Sequence, residues 1–289
     1  MTPYPLMLKP VYKTALWGGD RLSKLFGREL PWEKVSESWD VSCRKDEMCI
    51  VENGELAGKS FESALRLMGY DYTYENFPLL IALIDATMDL SVQVHPGKDE
   101  SWYVAEALPD ASVIAGLKNG ITKQALEAAL RNNDGYEIEQ MLNRIPVKKG
   151  DFIHLPAGTV HALTAGMIVY EVQQNIDITY RLYDYNRLGA DGKLRELHID
   201  QALEIIDFSQ NYETASEHYT LEIITVGGEL TLSSEQSGFH TLTVVEGNCA
   251  IETPILTTHV NTSRSVFIPA GIGDYKIIGS CMLLKSIVR

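Results

Sequence analysis

The chain has 289 residues, of which 45% are hydrophobic, so it is long enough to bury one large domain or two modest ones. Its 39 acidic residues outnumber 25 basic residues and give a formal net charge of -14. This charge repels nucleic-acid phosphates and anionic membrane surfaces at long range, so neither nucleic acid nor a membrane is expected as a partner.

Targeting signals and cysteine spacing indicate the compartment. No apolar run approaches the roughly 18 residues that span a bilayer. The first residues, Met1 to Leu6, lack the basic and apolar regions of a secretory signal, so we expect a cytoplasmic protein. The cysteines form neither a C-x-x-C pair nor a dense framework, which predicts reduced, structural thiols; they are Cys43, Cys49, Cys249 and Cys281.

Helices are predicted in only a few places along the chain. The segments 59–68, 122–131, 136–145 and 199–206 have the apolar spacing of amphipathic helices. Elsewhere short strands are favoured, because 77–94 is almost continuously apolar and 147–185 alternates strands with glycine-containing turns. Short strands with this spacing favour a β-sandwich or a β-barrel.

The segment 91–100, SVQVHPGKDE, combines several metal-ligating side chains. Side chains alternate across an extended strand, so Gln93 and His95 face the same way, and the following proline-glycine turn can fold Glu100 back towards them. His161 follows a second proline-containing turn. A single strand histidine is usually a hydrogen-bonded core residue. Two imidazoles, one carboxylate and one amide oxygen together suit a borderline metal such as zinc.

A strand and turn occur twice in the sequence. The segment 152–161, FIHLPAGTVH, is similar to 265–274, SVFIPAGIGD, with Asp274 in place of His161. The strands before the second copy lack a Gln-x-His pair, so we expect a second, related β-barrel without a metal. The predicted organisation is an N-terminal catalytic lobe with helical insertions at 1–205 and a metal-free C-terminal β lobe at 206–289.

A second group of polar residues follows His161. If 170–183 is one uninterrupted strand, its odd-numbered residues share a face. Charged pairs on a strand usually form a solvated ladder of little energetic value. Here the residues at 167–170 are apolar and the strand leads out of the His161 turn, so we expect the charged face beside the metal. The odd-numbered polar residues are Glu171, Gln173, Asp177, Thr179 and Arg181.

At these residues the sequence resembles the type I mannose-6-phosphate isomerases, the zinc-dependent phosphomannose isomerases of the cupin superfamily, and in particular their short bacterial form. The motif SVQVHP combined with a later PAGT-x-H is specific, whereas either alone would only be suggestive. The matching text covers roughly the first two thirds of the chain and continues more weakly to its end; it comprises 8–13, 16–19, 37–42, 56–59, 77–81, 91–96, 98–103, 147–152, 156–162, 179–181, 184–185 and 195–198.

The resemblance implies a mainly β fold with two cupin-type jelly-roll β-barrels and a few α-helices. It also implies a metal-dependent aldose-ketose isomerase that interconverts D-mannose 6-phosphate and D-fructose 6-phosphate. One bound Zn2+ would assist proton transfer through an enediol intermediate. The expected partner is a small-molecule phosphosugar, and the expected state is a monomer or a weak homodimer.

By this resemblance Gln93, His95, Glu100 and His161 bind the zinc ion. The segment between His95 and Glu100 is shorter than in many relatives, so Asp99 is the alternative carboxylate. A zinc ion held by neutral ligands and only one carboxylate keeps a net positive charge. It can therefore polarise a carbonyl group and offset enediolate charge.

The same resemblance assigns catalytic roles to Glu171, Arg181, Lys98 and Asp177. Glu171 is expected to transfer the proton, because one carboxylate can serve as base and then as acid. Arg181 and Lys98 suit the sugar oxygens or the phosphate, and Asp177 suits orienting Arg181 or a water. Many relatives have a lysine where this chain has Ala82, which removes one active-site cation.

Two other functions fit part of the pattern. A non-haem iron cupin oxygenase uses two histidines and one carboxylate, but Gln93 would occupy a position that dioxygen and substrate need. A non-catalytic sugar-binding cupin could keep the barrel, but it need not retain Lys98 together with Glu171, Asp177 and Arg181. Such barrels support many activities, so the fold alone does not decide between these functions.

Overall fold

Strands carry most of the regular structure, as the sequence predicts. The computed structural model describes residues 1–189, 192–209, 215–235 and 238–288. The strands pair in antiparallel sheets and are, in chain order, β1 Leu6–Lys9, β2 Val11–Lys13, β3 Glu37–Val41, β4 Cys43–Arg44, β5 Glu47–Met48, β6 Ile50–Val51, β7 Leu79–Ala86, β8 Val92–Val94, β9 Glu100–Ala107, β10 Ser112–Leu117, β11 Leu142–Pro146, β12 Phe152–Leu155, β13 His161–Leu163, β14 Met167–Gln174, β15 Tyr180–Tyr183, β16 Tyr219–Ser234, β17 His240–Glu252, β18 Thr257–Asn261, β19 Ser265–Ile268 and β20 Gly273–Val288.

Helices are short and few in the described part of the chain. The helices predicted at 59–68, 122–131 and 199–206 are confirmed to within two residues at either end. Ser60 and Thr122 cap two of them, because their side chains accept the backbone N–H groups of Ser63 and Ala125. The helices are α1 Arg21–Phe26, α2 Phe61–Leu67, α3 Lys123–Arg131, α4 Gly135–Met141 and α5 Ile199–Ile205.

The helix predicted over 136–145 is wrong in its second half. The side chain of Asp134 caps α4 by accepting the backbone N–H of Glu137, but α4 ends at Met141. The following strand β11 pairs with β10. Pro146 explains part of the difference, because the residue before a proline is pushed out of the helical region.

Two sheets of the N-terminal part pack face to face. The first has the strand order β12-β9-β14-β7-β3-β2, and the second has the order β11-β10-β13-β8-β15. Their apolar side chains form one core in which Leu80 and Ile84 of β7 lie with Val113 of β10 and Leu163 of β13. We call the first sheet the catalytic sheet and the second the ligand sheet, after the residues that the sequence analysis expects on them.

Strand β7 is buried on both faces, which explains the long apolar run in the sequence. Leu80 and Ile84 pack into the core between the two sheets. Leu83 points the other way and packs with Val245 and Leu284 of the C-terminal strands. The catalytic sheet is therefore held between the ligand sheet and the C-terminal strands.

A third sheet contains strands from both ends of the chain. Its strand order is β16-β20-β17-β19-β1-β6, with β18 paired to β17. Strand β1 pairs with β19 through Leu6 opposite Phe267 and Met7 opposite Val266. The first strand of the chain therefore lies beside strands that are more than 200 residues later in the sequence.

The recurrence of a strand followed by a glycine turn is confirmed. Strands β12 and β19 both lead into turns, in which Gly158 has a φ of +82° and Gly271 a φ of +73°. Glycine adopts this left-handed conformation with the least steric strain, which favours it in both turns. The first of these turns positions His161.

The cysteines of the described chain agree with the prediction from the sequence. None of the four cysteines forms a disulfide, and all four are buried, which confirms structural thiols. Within the described residues, every helix is too short or too polar to cross a membrane.

Candidate metal centre and active site

A cavity of about 290 Å³ lies between the catalytic sheet and the ligand sheet. His161 is buried beside it and contacts Glu100. The structure thus collects residues from segments far apart in the sequence, from Ala15 to Arg195. The residues expected from the sequence that line the cavity are Gln93, His95, Lys98, Glu100, Glu171, Gln173, Asp177, Thr179 and Arg181.

Three potential metal ligands converge in this cavity. His95, Glu100 and His161 each offer one ligand atom, and these atoms lie within 4.8 Å of one another. Nε2 of His161 is 3.1 Å from Oε1 of Glu100, and Nε2 of His95 is 3.4 Å from Oε2. Bonds of about 2 Å to a shared ion place ligand atoms about 3 to 4 Å apart, so this set fits a single cation.

Backbone carbonyl groups orient both histidine rings. Nδ1 of His95 donates to the carbonyl of Ile178 over 2.8 Å, and Nδ1 of His161 donates to the carbonyl of Thr159 over 2.8 Å. A carbonyl only accepts, so Nδ1 carries the hydrogen in both rings and Nε2 keeps its lone pair. Burial lowers the pKa of His95 to about 3 and also lowers the pKa of His161, which favours the neutral rings that bind metals.

Gln93 lies directly between the two imidazoles. It sits on β8 opposite His161 of β13, and its Nε2 is 3.5 Å from Nε2 of both His95 and His161. The oxygen and nitrogen of a glutamine amide have nearly the same shape. A half turn of this amide places the carbonyl oxygen beside both ring nitrogens, so Gln93 fits as a fourth ligand.

The carboxylate in this cluster belongs to Glu100, and the alternative residue Asp99 points elsewhere. Oε2 of Glu100 lies 3.1 Å from Nζ of Lys98. Burial, the largest single influence, favours the protonated form of Glu100, but Lys98 together with His161 and His95 outweighs it and lowers the pKa of Glu100 to about 2. Asp99 instead accepts the backbone N–H of Ala157 over 3.0 Å and the hydroxyl of Ser216 over 2.7 Å. Asp99 therefore holds the turn that precedes His161.

Glu171 is a buried carboxylate on the wall of the cavity. It lies on β14 between Trp102 of β9 and Ala82 of β7, and its Oε2 accepts Nε1–H of Trp102 over 2.8 Å. Burial, followed by the charge of Glu100, raises the pKa of Glu171 to about 8. A carboxyl group with a pKa near neutrality can both accept and release a proton.

Lys98 belongs to the metal end of the cavity. Its ammonium group donates to Oε1 of Gln173 and lies 3.1 Å from Oε2 of Glu100. Lys98 is only 6% exposed, so both partners are needed to stabilise the buried charge. An oxygen of any ligand bound near Glu100 would also lie near this ammonium group.

Arg181 reaches the cavity from β15 of the ligand sheet. Its Nε donates to the hydroxyl of Ser91 over 3.3 Å, and one terminal nitrogen donates to the carbonyl of Glu196 over 2.9 Å. Burial and the nearby charge of Arg195 lower the pKa of Arg181. Two guanidinium groups that repel each other in one cavity attract an anion between them.

A buried aspartate neutralises only part of this positive charge. Asp184 accepts hydrogen bonds from Arg195 over 2.7 Å and from Arg187 over 2.6 Å. These two arginines together with Arg181 bring three positive charges, against the two negative charges of Asp184 and Glu196, which both act on Arg181. The opening near β15 is therefore electropositive although the whole chain is acidic.

The single strand predicted over 170–183 is wrong. It is two strands, because β14 ends at Gln174 in the catalytic sheet and β15 begins at Tyr180 in the ligand sheet. Residues 175–179 cross from one sheet to the other. Glu171 therefore faces Arg181 across the cavity and does not share a strand face with it. Asparagine and aspartate at 175 and 177 favour such a break, because their side chains stabilise turns.

Asp177 lies in this crossing segment and is mostly exposed. Its side chain is 79% exposed, and its Oδ1 lies 2.7 Å from a terminal nitrogen of Arg44. Its structural partner is thus Arg44, whereas Arg181 contacts Ser91. The expectation that Asp177 orients Arg181 is therefore wrong, whereas its alternative role of orienting a water stays a prediction.

Several cavity residues were missed by the reasoning from sequence. Glu37 and Trp39 of β3 line the cavity, and Nε1 of Trp39 donates to Oε2 of Glu37 over 2.6 Å. Burial raises the pKa of Glu37. Their alternation within ESWDVS was an available signal, because residues two apart in a strand share a face. Arg195 lies in the segment 195–198 that resembles the family, whereas Arg44 carried no comparable signal, since its position depends on contacts across the fold.

Comparison with known proteins shows which family the chain is similar to. Residues 6–114 match the family model "Phosphomannose isomerase type I, catalytic domain", and residues 209–288 match "Mannose-6-phosphate isomerase, cupin domain". The chain is 34% identical over 312 residues to the mannose-6-phosphate isomerase ManA of Bacillus subtilis, covering 96% of this chain and 97% of that relative.

Solved structures show the same fold. The mannose 6-phosphate isomerase from Bacillus subtilis superposes with a TM-score of 0.90 at 30% identity, covering 98% of this chain and 99% of that one. A mannose 6-phosphate isomerase bound with zinc and yttrium has a TM-score of 0.73 at 15% identity, over 99% and 100% of the two chains. These matches confirm the mainly β cupin fold.

Proposed function

Because the chain belongs to the type I phosphomannose isomerase family, we propose that its cavity interconverts D-mannose 6-phosphate and D-fructose 6-phosphate. The observation that carries this function is the convergence of His95, Glu100 and His161 beside the buried carboxylate of Glu171. The set offers an electrophile site and a proton carrier in one cavity. Family membership favours the isomerase over the iron oxygenase and over the non-catalytic sugar-binding cupin.

We propose that one zinc ion per chain is held by Gln93, His95, Glu100 and His161. Three neutral donors and one carboxylate suit zinc, and the buried cluster offers them at suitable spacing. The zinc-bound relative supports this choice. When bound, the ion would polarise the substrate carbonyl and offset negative charge on the sugar oxygens.

Glu171 is the proposed proton carrier. An aldose becomes a ketose when the C2 proton moves to C1 and the hydroxyl proton moves between O2 and O1. The Glu171 carboxylate accepts the C2 proton, the C–H electrons form the C1–C2 double bond, and the π electrons of the C1 carbonyl move to O1. The hydroxyl proton then passes from O2 to O1, and the O2 electrons form the C2 carbonyl as the electrons of the C1–C2 double bond turn to C1. The carboxyl group then returns the proton to C1, so the carboxylate is regenerated. Its raised pKa suits both directions.

The two ends of the cavity suit the two ends of an open-chain sugar phosphate. Lys98 lies beside Glu100, so its ammonium group can donate to an oxygen near C1 or C2. Arg181 and Arg195 line the cavity at β15, where their excess positive charge can hold the phosphate. A catalytic role for Asp177 stays a prediction, and its exposure favours a role at the cavity edge.

Other features of the account are carried over from the sequence as predictions. These are a monomer or weak homodimer, a cytoplasmic location and no nucleic-acid or membrane partner. The division into 1–205 and 206–289 also stays a prediction. The cupin family model that begins at residue 209 supports this boundary.

Metal removal tests the proposed function. The purified full-length chain is analysed for metal and assayed for isomerisation of mannose 6-phosphate before and after treatment with a chelator. We expect activity to disappear on chelation and to return with zinc. Full activity in verified metal-free protein would contradict the proposal.

A further inference from the structure

The segment that crosses between the two sheets bears directly on the metal cluster. Residues 175–179 link β14, which carries Glu171, to β15, which carries Arg181. Within this segment the carbonyl of Ile178 accepts Nδ1–H of His95 over 2.8 Å. The ring orientation of His95 therefore depends on where this irregular segment lies.

One side chain from another part of the fold binds three successive residues of the crossing segment. Nε of Arg44 donates to Oδ1 of Asn175 over 2.9 Å, and a terminal nitrogen donates to the carbonyl of Ile176 over 3.3 Å. Its other terminal nitrogen lies 2.7 Å from Oδ1 of Asp177. All of the nitrogens of this guanidinium group are thus committed to the residues just before Ile178.

Arg44 is itself held in place. Its guanidinium carbon lies 4.8 Å from the ring centroid of Trp39, and the Arg44 side chain is only 11% exposed. Cation-π stacking of this kind fixes the plane of the guanidinium group. Arg44 lies on the short strand β4, which pairs only with β5 within the described residues. The bonds from Arg44 to residues 175–177 therefore add to the sheet hydrogen bonds that hold β14 and β15.

We propose that Arg44 is a positioning residue that sets the affinity of the metal site, by holding 175–177 so that the Ile178 carbonyl stays on His95. The inference rests on the proposed metal site and adds a residue to it. Carbonyl partners of a ligating histidine fix its tautomer and orientation, and their loss typically lowers metal affinity by about 10–100-fold. Arg44 acts one step further away, so we expect a change of about tenfold.

The chain offers a control variant and an internal control for this test. Arg44→Met removes the donors and keeps an apolar stem against Trp39. Arg131→Met removes a guanidinium group that pairs with Glu127 and Asp200 outside the cavity. His161 supplies an internal control, because its Nδ1–H donates to a carbonyl that Arg44 does not touch.

Two measurements on the full chain separate positioning from general stability. Zinc affinity of metal-stripped protein is determined by competition with a chelating dye. The imidazole N–H signals are followed by NMR after ¹⁵N-histidine labelling. For Arg44→Met we expect the dissociation constant of zinc to rise about tenfold. We also expect the His95 Nδ1–H signal of Arg44→Met to broaden while its His161 signal stays sharp. Arg131→Met should keep the zinc affinity and both histidine signals of the unmodified chain.

Unchanged zinc affinity with a sharp His95 signal in Arg44→Met would overturn the inference, and so would equal broadening of both histidine signals. If Arg44→Met does not fold, Asn175→Ala takes its place under the same criteria, because it removes the acceptor of Arg44 Nε. An unmodified chain that binds no zinc would overturn the proposed function, and the NMR signals of metal-free protein would still decide the role of Arg44.

Discussion

Two influences oppose each other at Glu171. Burial raises the pKa of its carboxyl group, and the hydrogen bond from Trp102 lowers it. Glu171→Gln keeps the shape and the Trp102 contact but removes the proton acceptor. We expect kcat to fall by about 100- to 10,000-fold, the usual contribution of general acid-base catalysis, with zinc content intact. Kinetic assay and metal analysis check this.

The matched control for this prediction is Glu106→Gln, because Glu106 lies on the neighbouring strand and pairs with Lys149 outside the cavity. It should leave kcat unchanged. If Glu171→Gln were as active as the unmodified chain, another group would have to move the proton.

Arg181 lines the cavity, and its guanidinium group is proposed to hold the phosphate of the substrate. Arg181→Ala removes the bonds to Ser91 and Glu196 and leaves the cluster of His95 and His161 untouched. We expect turnover to be abolished while zinc content stays intact, because the substrate phosphate loses a positively charged hydrogen-bond donor. Arg181→Lys should recover binding only in part, since a lysine offers a point charge. Unchanged turnover in Arg181→Ala would remove Arg181 from the mechanism.

At the scale of the element, the turn between β12 and β13 brings His161 to His95. Gly158 in this turn has a φ of +82°, and an added Cβ would lie 2.7 Å from the carbonyl oxygen of Ile205. Gly150 has a φ of +90° but no atom within 4 Å of an added Cβ. Gly150→Ala should therefore lower the free energy of unfolding by about 1 to 2 kcal/mol for the left-handed backbone alone.

Gly158→Ala should lower the free energy of unfolding by more than Gly150→Ala does, because α5 must also shift away from the new Cβ. Urea unfolding of the two variants measures the difference. Equal losses would show that the contact with Ile205 is easily relieved and that the turn is not fixed by α5.

The elements that sequence predicts best are those with a local cause. Gln93 lies on the short strand β8 and His95 follows it directly, and glycine favours the left-handed turns, so the candidate metal ligands could be chosen before the fold was known. The path from Glu171 to Arg181 could not, because alternation over 170–183 looks the same in one strand as in two. Only the pairing of β14 with β7 and of β15 with β8 separates them.

At the scale of the whole molecule, a buried ion pair connects the catalytic sheet to the C-terminal strands. The guanidinium group of Arg28 binds both carboxylate oxygens of Asp40 on β3, over 2.8 and 2.6 Å. Its Nε donates to the hydroxyl of Ser263 over 2.9 Å, across 235 residues of sequence. Nothing local in the sequence indicates such a contact, because it exists only after both parts have packed.

Arg28→Met should strongly destabilise the fold, because Asp40 would keep a buried charge without its partner. We expect the free energy of unfolding to fall by about 3 to 5 kcal/mol. The double variant Arg28→Met with Asp40→Leu should recover part of this loss, since no charge is left to desolvate. Chemical unfolding of the single and double variants distinguishes these outcomes. A single variant as stable as the unmodified chain would show that the ion pair does not join the two parts.

The central claim is that side chains from two facing sheets hold one zinc ion. Anomalous diffraction at the zinc edge, on crystals of the zinc-loaded protein, tests it most directly. The account predicts one strong peak bonded to Gln93, His95, Glu100 and His161. A peak at any other position, or no peak in protein that is fully active, would contradict it.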